Sequence, residues 1–396
     1  MSFEEWKEVR LGDICEVTDC VNKTAPTVNY KTPYKMLRTT NIRNGQINSD
    51  NVKYVTEDIY TKWTRRSTPI IDDVILTREA PMGEIGIIKD DSNYFLGQRL
   101  VQLRANSEIV TPNFLYFAMR SPFVQNQIYA FEGSGSVVSH MRVPDVMKLK
   151  LKIPGLEKQL VLGNFLRNIE DKIYLNNQIN QKLEEMAQAI FRSWFIDFEP
   201  FQEFVETELG RIPKGWEVHQ LKDLIDFKYG KPLKKENREP GAYPVFGSNG
   251  QVDVHSNYLV EGPGIIIGRK GNPGTVNLTL DNFFPIDTTF YVDFKQKESS
   301  IYYYYFTLSF QNLKDLSADS AVPGLNRNVA LKNKIILPPQ TVLDRFDQII
   351  DVFFKTLKNN KIESQTLAKL RDTLLPKLMS GELRIPSESI EGGVTV

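Results

Sequence analysis

Two long amphipathic stretches share one register, and this repeat constrains the fold more than any other feature of the sequence. In the first, at about 156–198, apolar residues recur at alternating steps of four and three, as in a coiled-coil seam. The second follows 184 positions later with the same spacing. The predicted seam consists of Leu162, Leu166, Ile169, Ile173, Asn176 and Leu183 in the first stretch, and of Phe346, Ile350, Phe353, Leu357, Asn360 and Leu367 in the second.

A polar interruption is repeated within this seam. Asn176 and Asn360 occupy the same seam position, where a buried amide weakens the pair but penalises a slipped alignment. Arg371 is the one clear break in the second seam. The two stretches are therefore predicted to be equivalent helices with the same pattern of packing residues.

The segments that precede the helices are also duplicated. Trp6, Leu11 and Asp13 recur 210 positions later as Trp216, Leu221 and Asp223. Each segment combines short β-type runs, such as 95–103, with one amphipathic helix, at about 112–131 in the first segment and 299–316 in the second. Their aromatic patches, 114–117 and 302–306, are predicted to be core. An internal duplication is the simplest explanation.

Connectivity then predicts the topology. If equivalent helices pair along equivalent seams, the second helix runs back along the first, which gives an antiparallel pair with a pseudo-two-fold axis. Leu162 and Trp194 are 32 residues apart, or roughly 48 Å at 1.5 Å per residue. We expect an α/β (α+β) protein with two pseudo-symmetric α/β domains separated by long coiled-coil helices. The predicted segments are a first domain at 1–155, a helix at 156–198, a second domain at 199–338, a helix at 339–383 and a flexible tail at 384–396.

Composition narrows the class of protein. The 396 residues are 41% hydrophobic and 25% charged, which is ordinary for soluble protein, and no apolar run approaches the 18 or so residues of a membrane span. Met1 to Trp6 lacks a signal-peptide pattern, so a cytoplasmic location without a membrane partner is expected. Cys15 and Cys20 are expected to be free thiols, and the three histidines lack the spacing of metal ligands.

Motifs for catalysis are missing from the sequence. Gly230-Lys231 lacks the upstream glycine and the following hydroxyl of a phosphate-binding loop. The Pro338-Pro339 pair follows Leu337 rather than the Asp or Asn of an adenine methyltransferase site. We therefore expect a chain that has no cofactor and no catalytic residues and is inert alone.

The order of variable domain, long helix, variable domain and long helix resembles the specificity subunit of type I restriction-modification systems. The resemblance extends to four motifs: the two Trp-x-x-x-x-Leu-x-Asp openings, the loop from Arg78 to Gly86, the boundary Leu337-Pro-Pro-Gln340 and the helix end from Leu374 to Gly381. It covers nearly the whole chain, from Trp6 to about Leu383. One departure is Gly155, which stands where a second proline is common at such boundaries.

The resemblance implies a function in DNA recognition. Each variable domain would be a target recognition domain that reads one half of a bipartite sequence in double-stranded DNA. The helices would fix the gap and dock two modification subunits, which carry S-adenosylmethionine and methylate adenine. Restriction subunits, which are motor-nucleases, would join for cleavage.

Candidate contacts with DNA follow from side-chain chemistry. Base edges in the major groove require Arg, Lys, Asn and Gln, whereas phosphates accept from Arg, Lys, Ser and Thr. Arg78 and Arg269 form a matched pair, since each shortly precedes a Gly-x-x-Gly turn. The candidates are Arg38, Thr39, Asn41, Arg78, Ser134, Ser136 and Arg142 in the first domain, and Lys231, Ser248, Asn249, Arg269, Lys270 and Arg327 in the second.

The net charge is zero, which is unusual for a protein that binds DNA phosphates. Basic residues must therefore concentrate on one face, or partner subunits must supply contacts.

Two other functions remain open from the sequence. A scaffold that spaces two protein partners would have the same geometry. A DNA-modifying enzyme with its catalytic centre in one domain is the other alternative, and the missing motifs argue against it.

Overall fold

The computed structural model describes residues 6–131, 140–296, 299–316 and 324–385. These residues form two compact units. The first unit comprises the described residues of Met1–Asn176 and Ile362–Val396, and the second comprises those of Asn177–Lys361. Each unit thus combines a globular α/β part with one portion of each long helix.

The strands of the first unit are β1 Lys7–Arg10, β2 Cys15–Asp19, β3 Tyr34–Leu37, β4 Ile42–Arg43, β5 Gln46–Ile47, β6 Lys53–Tyr54, β7 Val74–Thr77, β8 Ile85–Ile87, β9 Asn93–Leu96, β10 Leu100–Ala105 and β11 Lys150–Ile153. These described strands form four sheets. A four-stranded antiparallel sheet has the order β2-β10-β7-β8, and a three-stranded sheet has the order β6-β3-β9 with β3 parallel to β9. The other two sheets are the pairs β1-β11 and β4-β5. The helices are α1 Leu11–Ile14, α2 Glu57–Thr64, α3 Pro112–Arg120, α4 Pro122–Tyr129, α5 Val143–Met147 and the long α6 Leu156–Phe195, with a 3-10 turn at Thr39–Asn41.

The second unit repeats this topology. Its strands are β12 Phe204–Thr207, β13 Gly210–Pro213, β14 Glu217–Gln220, β15 Ile225–Tyr229, β16 Tyr243–Gly247, β17 Gly250–His255, β18 Gly264–Gly268, β19 Val276–Thr279, β20 Phe284–Pro285, β21 Thr289–Phe294 and β22 Lys334–Leu337. The four-stranded sheet has the order β15-β21-β18-β19, β14 pairs with β22, and β16 runs parallel to β20. The helices are α7 Leu221–Leu224, α8 Ile301–Phe310, α9 Arg327–Ala330 and the long α10 Gln340–Met379, with 3-10 turns at Lys235–Asn237 and Leu313–Leu316.

The long helices run antiparallel to each other. In the first unit, the amide of Asn176 donates to Glu363 Oε2 at 2.8 Å. In the second unit, the amide of Asn360 donates to Asn180 Oδ1 at 2.9 Å. Residue numbers on α10 therefore fall as those on α6 rise. The predicted fold class, two pseudo-symmetric α/β domains with an antiparallel pair of long helices, is confirmed.

The seam residues lie on the less exposed side of both helices. Leu162, Leu166, Ile169, Asn176, Phe346 and Ile350 are buried, and Ile173, Leu183, Phe353, Leu357, Asn360 and Leu367 are partly buried. The break at Arg371 is accounted for by an ion pair with the buried Glu170 at 3.1 Å.

Two expectations about local structure were wrong. The helix expected at 112–131 is two helices, because Pro122 disfavours the α conformation at Ser121, whose ψ is 150°. The strand expected at 95–103 is likewise two strands, β9 and β10. At Gly97 the chain passes so close to β3 that a Cβ would lie 2.7 Å from the Leu37 carbonyl oxygen, and Arg99 turns the chain with φ +72°.

The aromatic patches are core, as predicted. Phe114, Tyr116 and Phe117 are fully buried in the first unit, and Tyr303 and Phe306 are buried in the second. Cys15 and Cys20 are buried free thiols. These packed layers fix the strand ends on which the candidate residues lie.

Candidate nucleic-acid interface

Backbone hydrogen bonds join three segments at one edge of the first unit. Arg78, directly after β7, donates its amide to the Arg99 carbonyl at 2.8 Å, and its own carbonyl accepts from the Met141 amide at 3.1 Å. Asp19, the last residue of β2, completes this edge through its side chain. We call Asp19, Arg78, Arg99 and Met141 the arginine edge of the first unit.

The second unit builds the same edge with the same bonds. The Arg269 amide donates to the Thr288 carbonyl at 2.9 Å, and the Arg269 carbonyl accepts from the Leu325 amide at 3.0 Å. Tyr229, the last residue of β15, stands where the first unit has Asp19. Tyr229, Arg269, Thr288 and Leu325 are the arginine edge of the second unit. The matched pair predicted from sequence is thus equivalent in structure.

The turn after each arginine also has the same form. The Gly83 amide donates to the Thr77 carbonyl at 2.9 Å, and the Gly274 amide donates to the Gly268 carbonyl at 2.8 Å. Gly83 has φ +87° and Gly274 has φ +79°, a conformation that favours glycine. The glycines therefore shape the loop that begins with the arginine.

The side chains of the two arginines differ in their surroundings. Arg78 is only 6% exposed, and its Nη2 lies 2.8 Å from Asp19 Oδ1. Arg269 is partly exposed, donates from Nη2 to the Asp287 carbonyl at 2.6 Å and lies 5.4 Å from the centre of the Tyr229 ring. Arg269 can reach a ligand with little rearrangement, whereas Arg78 would have to leave its carboxylate partner.

The other candidates in the first unit divide into exposed and supporting residues. Arg142 is exposed and pairs with Asp145 at 2.9 Å. Arg38 and Thr39 are partly exposed, and Arg38 donates to the Asn51 carbonyl at 2.7 Å. Asn41 is buried and joins turn residues, since it accepts from the Arg38 amide at 2.9 Å. Ser134 and Ser136 lie outside the described residues.

The second unit shows the same division. Lys231, Asn249 and Lys270 are exposed. Lys270 directly follows Arg269, and Lys231 lies two residues beyond Tyr229. Ser248 is buried, and its hydroxyl donates to the Thr288 carbonyl at 2.8 Å, so it braces the edge from within. Arg327 lies two residues beyond Leu325, donates from Nε to the Phe227 carbonyl at 2.7 Å and forms an ion pair with Asp226.

Three residues at the edges were missed by the sequence analysis. Asp19 and Tyr229 hold the two arginines, and Arg99 is half-exposed and pairs with Glu79 at 2.8 Å. A signal for the first two was present, because each lies eight positions after the repeated leucine, Leu11 or Leu221. The sequence gives no comparable signal for Arg99.

Two further features are absent from the described parts of the chain. These parts contain no group of three or more His, Cys, Asp and Glu side chains arranged to hold a metal ion. In these same parts, no helix is both long and apolar enough to span a membrane.

The chain is similar in sequence to a known protein family in both of its halves. The sequence profile of the type I restriction modification DNA specificity domain matches residues 3–185 and again residues 213–372. The two matches take in the equivalent strands and most of both long helices.

Individual relatives agree with the profile. The chain is 27% identical to the type I restriction enzyme MjaIX specificity subunit of Methanocaldococcus jannaschii, over 79% of this chain and 78% of the relative. It is 26% identical to the HindI specificity subunit of Haemophilus influenzae, over 74% of this chain and 82% of the relative.

Among solved structures, the type I restriction-modification S subunit from M. genitalium superposes with a TM-score of 0.66 at 18% identity. That match covers 94% of this chain and 96% of the S subunit, and it shows a shared fold. The duplicated profile match and the duplicated architecture lead to one assignment: the chain belongs to the type I restriction-modification DNA specificity family.

Proposed function

We propose that each unit reads one half of a bipartite target in double-stranded DNA through its arginine edge and the exposed polar residues that this edge positions. One observation carries the proposal: the same backbone bonds build the edge twice, while the side chains on it differ. Asp19 in the first unit corresponds to Tyr229 in the second, and Arg99 corresponds to Thr288. A fixed scaffold with different polar side chains is suited to reading two different half-sequences.

The residues divide into two roles in this proposal. Arg269, Lys231, Asn249 and Lys270 of the second unit contact DNA, because they are exposed or partly exposed at one edge. Arg38, Thr39, Ser134, Ser136 and Arg142 do so in the first unit. Arg78, Asn41 and Ser248 are buried and position these contacts by holding the strand ends together.

The long helices dock the partner subunits in this proposal. Large apolar side chains remain exposed along both helices in each unit, and exposed apolar patches of this kind mark protein interfaces. In the first unit they are Tyr174, Leu175, Ile362 and Leu370, and in the second Ile179, Met186, Ile349 and Val352. Two modification subunits bind here and supply adenine methylation, restriction subunits supply cleavage, and this chain is non-catalytic.

The test is a base-resolution map of adenine methylation in the source cell with the gene intact and with it deleted. We expect a split motif with a fixed gap that loses methylation on deletion. Complementation with Arg269→Ala should leave methylation reduced, while Lys214→Ala, which removes an exposed cation away from the arginine edge and the long helices, should restore it. If no methylated motif depends on the gene while the modification subunit is active, the proposal is wrong and a protein scaffold becomes the better account.

A further inference from the structure

A cleft in the second unit carries more positive than negative charge. Its volume is about 620 Å³, and its lining includes Lys222, Asp223, Asp226, Lys295, Arg327 and Lys332. The four cationic and two acidic side chains leave a surplus of two positive charges. We call this site the basic cleft.

Two of the cations are available to a ligand. Arg327 is paired with Asp226, and the Lys295 ammonium donates to the Lys222 carbonyl at the cleft wall. Lys222 and Lys332 are exposed, and within the described ranges neither has a carboxylate at ion-pair distance. The surplus charge therefore resides on side chains that face solvent.

Asp226 is already neutralised from within the protein. Burial acts to raise the pKa of Asp226, but a hydrogen bond from Lys228 and the charge of Arg327 outweigh it and hold the pKa below its ordinary value. Asp226 remains a stable partner for these two cations at neutral pH. It does not offset Lys222 and Lys332.

The first unit has an equivalent cleft with the opposite balance. Corresponding backbone bonds align the two clefts: the Asn106 amide donates to Ile14 at 2.9 Å, and the Lys295 amide donates to Leu224 at 3.0 Å. The first cleft has a volume of about 330 Å³, and its charged lining residues are Asp13, Glu16 and Arg104.

The charge difference comes from three replacements. Gly12, Asn106 and Val143 stand in the first unit where the second has Lys222, Lys295 and Arg327, while Lys148 corresponds to Lys332. A cation is thus present at three positions in the second unit and absent at the same positions in the first. The basic cleft is a property of the second unit, and the shared fold does not require it.

The basic cleft adjoins the arginine edge of the second unit. Leu325 bonds to Arg269 at that edge, and Arg327 enters the cleft two residues later. We propose, resting on the proposed function, that the basic cleft binds a phosphate group of the DNA backbone beside the half-site read by the second unit. Flexible lysines suit a phosphate, which they contact as point charges, and continuity with the edge favours DNA over an acidic protein segment.

The test compares two variants of the full-length chain, alone and assembled with its modification subunit. The first is Lys222→Gln/Lys332→Gln. The matched control is Lys148→Gln, which removes a cation at the equivalent place in the first unit. Binding of fluorescein-labelled duplexes, one with the bipartite target and one of unrelated sequence, is measured across a range of salt concentrations.

We expect the double variant to bind both duplexes more weakly by the same factor, with the slope of log affinity against log salt reduced in magnitude by about 1. The control should match the wild type. An unchanged slope in the double variant would overturn the proposal, as would unchanged DNA binding with weaker assembly, which would make the cleft a protein site.

The inference and the proposed function can fail separately. The preference of the wild type for the target duplex tests the proposed function, whereas the slope measured on the unrelated duplex tests the cleft. A wild type without target preference whose slope still depends on Lys222 and Lys332 would overturn only the function. A complex that binds neither duplex would overturn both.

Discussion

In the first unit, the carboxylate of Glu170 lies buried between Arg120 and Arg371, whereas in the second unit Phe354 occupies the same helix position. The Tyr116 hydroxyl lies 2.8 Å from this carboxylate and 2.7 Å from the Gly45 carbonyl, and it accepts from Arg120 at 2.6 Å. The first unit therefore packs its globular part onto the helices through a buried charge cluster.

The second unit fills the equivalent space with rings. Tyr305 corresponds to Tyr116 and lies 5.9 Å from Phe354 between ring centres, and Phe306 lies 6.2 Å from Phe354. Ala187 takes the place of Arg371, and Ser309 that of Arg120.

The same architecture is therefore stabilised in two ways, by a buried ion cluster in the first unit and by aromatic packing in the second. The two respond differently to mutation. A buried ion cluster is directional and ties the Gly45 turn to the helices, but each member depends on the others. Aromatic packing is less directional and tolerates the loss of a contact better. The first unit should therefore be more sensitive than the second to single polar substitutions.

The largest effect is expected from Glu170→Ala. It leaves Arg120 and Arg371 without their shared carboxylate, at side-chain exposures of only 14% and 16%, so solvent compensates little. We expect a loss of about 3–5 kcal/mol in the free energy of unfolding, measured with urea. Glu185→Gln, at an exposed ion pair of the same helix, should change it by less than about 1 kcal/mol. Equal effects of the two variants would show that the buried ion cluster is not a special source of stability in the first unit.

A smaller effect, on binding rather than folding, is expected at the arginine edges. Arg269→Ala should weaken recognition of one half-site by about 1–3 kcal/mol without a matching loss of stability, since its partners are a carbonyl and a ring. Arg78→Ala should damage only the other half-site and should also destabilise the first unit, because Asp19 loses its cation. Duplexes altered in one half at a time separate these outcomes. Normal binding of both half-sites by both variants would remove the arginines from the interface.

The second unit has a partly buried carboxylate at a helix position where the first unit has a glycine. Asp347 corresponds to Gly163, and burial, with help from Asp344 and Asp351, raises its pKa to about 6. The folded state thus disfavours the carboxylate, so this group lowers stability above about pH 6 and stops doing so as the pH falls toward its unfolded value of about 4. Asp347→Asn should stabilise the protein by about 1 kcal/mol near pH 8, and the gain should vanish near pH 4. A gain independent of pH would assign the effect to packing.

The smallest net effect is expected when the ion cluster of the first unit is replaced by the corresponding residues of the second unit. Arg120→Ser, Glu170→Phe and Arg371→Ala together copy the second unit into the first. Replacing a buried ion cluster by packed apolar groups is often neutral, so this variant should unfold within about 1 kcal/mol of the wild type. A loss as large as that of Glu170→Ala would mean that the Gly45 turn requires the charges.

The sequence predicted what depends on short-range periodicity. The seam spacing and the repeated Trp, Leu and Asp led to the duplicated fold, because each copy is a local pattern that can be recognised within its own segment. The partner of Arg371 could not be predicted, since Glu170 lies 201 positions away and its burial depends on tertiary packing. The same holds for Arg78, whose carboxylate partner is 59 positions distant. Sequence patterns therefore identified candidate residues at the edges, but they did not show which of these side chains are buried and which are exposed.

The way in which stretches of the chain form the two units has a consequence for the evolution of the gene. The second unit comes from one uninterrupted stretch, Asn177–Lys361, whereas the first is assembled from two stretches on either side of it. Both junctions fall within long helices, the first directly after Asn176 and the second one residue beyond the equivalent asparagine, Asn360. A single recombination event with crossovers at these codons would replace the whole second unit and preserve the helix register. DNA specificity in this lineage could then change by cassette exchange at one half-site, while the other half-site is inherited unchanged.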